Sequence, residues 1–65
     1  MMREYRWFFH NRAARPITTD RGRFLTDDDA VAWVEGLLSK HLEAVSVEVW
    51  EQVRLVGRRQ RPAAV

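Results

Sequence analysis

The chain has 65 residues, a net charge of +2 and no cysteine. That length allows one domain, whose single core supplies only about 3–5 kcal/mol, and the missing thiols remove disulfides, thiol catalysis and cysteine-type zinc sites while fitting a reducing compartment. No apolar stretch approaches the roughly 20 residues of a membrane span, and the opening Met-Met-Arg-Glu-Tyr lacks the apolar segment of a secretion signal, so the expected setting is cytoplasmic.

Residues Glu4 to His10 read as a strand from their aromatic content, and the Asn and Pro of "NRAARP" punctuate a turn after it. Within that strand Trp7, Phe8 and Phe9 are consecutive. Successive strand side chains point to opposite faces, so these rings cannot all be buried on one side. A second strand is expected from Ile17 to Leu25, with Asp20 and Gly22 marking a bulge.

"TDDDAVAWVEGLLSKHL" predicts a helix. Thr26 is placed as its N-cap with Asp29 as capping-box partner, and Asp27, Asp28 and Asp29 put negative charge where the helix dipole favours it. Ala30, Val34, Leu37 and Leu38 fall on one apolar arc, with Val31 and Trp33 at its margins, where Trp33 is expected to pack on the core. His41 falls on the same arc at the fraying end.

"VSVEVWEQVRLVG" reads as a hairpin. A three-residue loop at Trp50, Glu51 and Gln52 would set Val49 against Val53, Val47 against Leu55 and Val45 against Gly57, gathering the apolar side chains on one face and pairing Glu48 with Arg54 on the other. It requires a left-handed Gln52. The domain is expected to span 1–58, with a flexible basic tail over 59–65.

The order is ββαββ, an α+β fold in which one helix covers one face of a four-stranded antiparallel sheet. With Tyr5, Trp7 and Phe9 turned to the helix, the uncovered face is expected to show Arg6, Phe8, His10, Glu48, Arg54, Val56 and Arg58. Trp50 at the hairpin tip is either an interface anchor or a ring that folds back over the sheet edge or stacks on Arg54.

Three segments stand out: "REYRWFF" near the start, "DDDAVAW" opening the helix and "VEVWEQVRLVG" near the end. Through them most of the chain resembles a group of short alphaproteobacterial-type proteins of ββαββ pattern. Members of that group tend to carry Gly where Gln52 stands, and the resemblance implies a fold and a bacterial origin with no activity attached.

Charge is segregated along the chain. Residues 1–24 carry six Arg against Glu4 and Asp20, residues 25–51 carry seven acids against Lys40, and residues 52–65 carry four Arg and no acid. Consecutive Asp27 to Asp29 lack the alternation of an oxygen-ligand loop, and His10 and His41 sit in neither a triad nor a metal motif. The expectation is therefore a non-enzymatic protein-interaction or regulatory module, free of cofactor, metal and small-molecule substrate. Its surface would be Arg6, Phe8, His10, Trp50, Arg54, Val56 and Arg58, meeting a protein partner or a second copy. The alternative is nucleic acid, with Phe8 stacking a base while Arg6, Arg54, Arg58, Arg59 and Arg61 neutralise phosphates.

Overall fold

The computed structural model describes residues 1–61. Strands β1 (Arg3–His10) and β2 (Pro16–Phe24) precede helix α1 (Asp27–Lys40), and β3 (Ser46–Glu51) and β4 (Arg54–Gln60) follow it. The four strands form one sheet in the order β2-β1-β3-β4, antiparallel at every pairing. The α+β, ββαββ expectation holds.

Alternation along β1 sets the sheet's two faces. Tyr5, Trp7 and Phe9 are buried under α1 with Val47 and Val49 of β3, while Arg6, Phe8 and His10 point the other way. From α1 the core receives Ala30, Val31, Val34 and Leu38. The helix begins as its sequence dictates, with the Thr26 hydroxyl accepting from the Asp29 N–H at 3.1 Å. Its buried stripe is turned slightly from the expected arc: Val31 is buried and Leu37 only partly so. Trp33 is 56% exposed and meets Phe24 with ring centroids 6.4 Å apart, so the expectation that it packs on the core is corrected.

Two further corrections concern register. The irregularity in β2 lies at Ile17, where the partners step from Phe9↔Thr18 to His10↔Pro16; around Asp20 and Gly22 the pairing is regular. Gly22 instead makes room for the Trp7 indole, since a Cβ there would sit 2.9 Å from Trp7 Cη2. Gly22→Val should therefore cost about 1–3 kcal/mol by overpacking. Thermal denaturation followed by circular dichroism checks this, and adding Trp7→Phe, which removes the clashing atom, should recover part of the loss.

The β3–β4 hairpin turns through two residues, Gln52 and Val53, rather than three. Glu51 faces Arg54 and Trp50 faces Leu55; Val56 is then an extra residue, and Val49 faces Gly57. The left-handed Gln52 is present, at φ 53°. The bulge is what keeps the faces sorted. It sets Gly57 beneath the helix, where a Cβ would lie 3.1 Å from Val31, and swings Arg58 across from Glu48.

The boundary expected at residue 58 also moves. β4 continues to Gln60, and Arg59 Nε meets Glu35 of α1 at 2.7 Å. The Arg61 N–H donates to Val45 O at 2.7 Å, while its guanidinium donates to the carbonyls of Ala44, Leu38 and His41. Arg59 to Arg61 are thus part of the fold, and the remaining tail expectation, 62–65, lies outside the described residues.

Candidate binding face

The face of the sheet away from α1 has no element over it among the described residues, and the pairing registers give its layout. One row across the strands reads Arg21, Arg6, Trp50, Leu55; the next reads Thr19, Phe8, Glu48, Arg58. Beyond the first row Arg23 stands opposite Glu4, and beyond the second His10 stands opposite Ser46. Directly opposed residues share a face, and diagonal neighbours lie about 7–8 Å apart, within reach of aromatic side chains. Phe8 and Trp50 form such a diagonal pair, both half-buried.

Arg6, Phe8, His10, Trp50 and Arg58 are therefore on the expected face. Arg54 and Val56 are not. Arg54 lies on the helix side, its guanidinium donating to both Asp27 carboxylate oxygens at 3.2 and 3.1 Å and to Glu51. Val56, displaced by the bulge, packs against the core. Trp50 is in β3 and not at the hairpin tip; its indole N–H donates to Glu48 Oε1 at 3.1 Å, and Arg54 is occupied elsewhere. Sequence reasoning missed Arg21, Arg23 and Thr19. Their signal was the period of two in "TDRGR", which sets all three on one face of β2.

Arginine chemistry differs between the two sides. On the helix side Arg3, Arg54 and Arg59 form ion pairs, and Arg61 is held by main-chain carbonyls. On the uncovered face Arg6, Arg21, Arg23 and Arg58 make no ion pair among the described residues. Arg6 and Arg21 even stand directly opposite one another, an arrangement that costs stability. A shallow hollow of about 260 Å³ is lined by these two arginines with Thr19 and Asp20. Guanidinium groups stay charged at every physiological pH and present a planar fork to phosphate or carboxylate.

No family model, curated protein or solved structure matches this chain with significance.

A second polar cluster joins the start of α1 to the hairpin. The buried Tyr5 hydroxyl donates to Asp27 Oδ1 at 2.6 Å, and Arg3 Nε donates to Glu51 at 2.8 Å. Hydrogen bonds from Arg54 and then Tyr5 hold the Asp27 carboxyl below its ordinary range, and those from Arg54 and then Arg3 do the same for Glu51. Burial, then the bond to Asp27, raises the Tyr5 phenol. The same contacts raise Arg54, chiefly through Asp27, and Arg3, chiefly through Glu51. The two acids thus contribute stability that is fully present above their unfolded pKa of about 4 and is lost as pH falls through the lower folded values. Tyr5 contributes below its unfolded pKa of about 10 and loses that contribution as pH rises through the higher folded value. Urea midpoints measured against pH should fall at both of these limits, and Asp27→Asn should flatten the acid limb.

Among the described residues no group of three or more His, Asp or Glu could hold a metal ion, and no helix is long and apolar enough to cross a membrane.

Proposed function

We propose that this chain is a small non-enzymatic binding module, an accessory rather than a catalyst, whose uncovered sheet face holds an anionic macromolecule. One observation carries the reading: four guanidiniums without an ion pair among the described residues surround Phe8 and Trp50 on that face, while the arginines of the helix side are engaged. A cytoplasmic setting belongs to the same proposal and is supported by the cysteine-free composition.

Self-association is the weaker reading for two electrostatic reasons. Stacking the uncovered face on a copy of itself would bring Arg6, Arg21, Arg23 and Arg58 against the same set. Edge-to-edge pairing of two β2 strands, helices on the same side, meets like charge in each central register: Asp20 on Asp20, Arg21 on Arg21, or Arg21 on Arg23.

Light scattering together with retention on a heparin column tests the proposal. The expected result is a monomer at low and high salt that binds heparin, with Arg6→Gln/Arg21→Gln eluting well before Arg12→Gln/Arg15→Gln, which removes the same charge from the β1–β2 loop. Equal elution of the two double variants would count against the face, and a salt-resistant dimer would restore self-association.

A further inference from the structure

We propose that the occupant of the uncovered face is a short stretch of single-stranded RNA. The inference rests on the anionic-partner reading above and deepens it. An acidic protein would satisfy the four guanidiniums but would leave the aromatic pair without a role. Phe8 and Trp50 stand diagonally on neighbouring strands, half-buried, on an open sheet. That is a stacking platform for two successive unpaired bases, and stacking tolerates any sequence because every base has a flat face.

The arginines border this platform on both sides. Arg21 and Arg6 continue the row of Trp50, and Arg58 ends the row of Phe8. A phosphodiester strand crossing the sheet would meet guanidiniums before and after the stacked bases. Thr19 and Glu48 stand directly opposite Phe8 on its two sides, where a hydroxyl and a carboxylate can meet a ribose 2′-OH or a base amino group. Glu48 would repel a phosphate set directly on it. The Trp50 indole N–H, donating to Glu48 Oε1, moderates its charge.

The rest of the molecule restricts a polyanion to this face. Asp27, Asp28 and Asp29 open the helix on the opposite side, and Glu35 and Glu43 follow. A duplex, rigid and with its bases stacked inside, cannot offer rings to Phe8 and Trp50.

Fluorescence anisotropy of a labelled eight-nucleotide uridine-rich RNA with the 65-residue chain tests the inference. Four phosphate contacts predict a slope of log K against log salt of about −3, which is roughly a 50-fold loss between 50 and 200 mM salt. Phe8→Ala and Trp50→Ala should each weaken binding about tenfold or more. Phe8→Leu, which keeps apolar bulk without the aromatic face, should do the same, and far-UV circular dichroism establishes that each variant is folded. Arg12→Gln/Arg15→Gln should lose far less. Unchanged affinity in the folded aromatic variants would overturn the inference, as would binding of duplex RNA, the matching deoxy oligonucleotide or poly-glutamate at equal strength. Poly-glutamate binding that depends on Arg6 and Arg21, without preference for RNA, would remove the RNA and keep the anionic face. Failure to bind either polymer would remove both.

Discussion

Phe9→Ala is expected to leave the chain largely unfolded at 25 °C, while Phe8→Ala, one residue away, stays folded. Phe9 is 1% exposed, faces Val47 across the β1–β3 ladder and packs against the His41 ring with centroids 4.6 Å apart. Truncating a buried phenylalanine costs about 3–5 kcal/mol, which matches the whole of the roughly 3–5 kcal/mol that a domain of this size holds. Phe8 points to the uncovered face between Thr19 and Glu48, so its truncation leaves no hole in the core. Urea titrations of both variants beside the unaltered chain decide the matter. A large loss in Phe8→Ala beside a small one in Phe9→Ala would mean that the strand is turned the other way.

Arg61→Ala is expected to lower stability by about 2 kcal/mol, because hydrogen bonds from a charged donor each contribute more than neutral ones and their loss strands carbonyls. For a domain this small that is a fall in Tm of roughly 10 °C. The guanidinium reaches Leu38 and His41, whose carbonyls belong to the end of α1, and Ala44 in the turn that follows. The last carbonyls of a helix have no partner within the helix, and a cation there also suits the dipole. Arg61 therefore closes the C-terminal end of α1 from the far end of the chain. Arg61→Lys should recover only part of the loss, since an ammonium cannot spread its donors across three carbonyls. A chain ending at Gln60 should behave like Arg61→Ala or worse, because it also loses the Arg61 N–H bond to Val45. An unchanged Tm in Arg61→Ala would show that the residue is a tail after all.

The two variants differ in how visible their basis is in the sequence. The facing of Phe8 and Phe9 follows from alternation along an aromatic strand and from the amphipathic helix that must cover one side. The work of Arg61 does not, because its partners lie 17 to 23 positions away in the chain and are main-chain atoms common to every residue type. A run such as "RRQR" looks the same whether its side chains are solvated or built in.

The candidate face divides in the same way. Arg6, Phe8 and His10 were legible because β1 fixes them by parity alone. Trp50, Arg54 and Val56 depend on where the hairpin turns. Moving the loop to Gln52-Val53 and admitting Val56 as an extra residue carries Arg54 to Asp27 and Val56 to the core, and it leaves Trp50 beside Phe8. That change alters the chemistry of the surface, from one aromatic residue to a pair.

By itself the sequence determined the element order, the Thr26 cap with its acidic first turn, the inward rings of β1 and the segregation of charge, since each rests on neighbours a few residues apart. The tertiary structure alone decided the hairpin register, the company of Trp50, the separation of Arg6, Arg21, Arg23 and Arg58 from the ion pairs of the helix side, and the closure by Arg61. The physical reason is that a strand's register is a competition between pairings one residue apart, each with similar local geometry. The crowding of Gly57 under Val31 and the reach of Arg54 to Asp27 favour one of them only when the sheet and helix are assembled together.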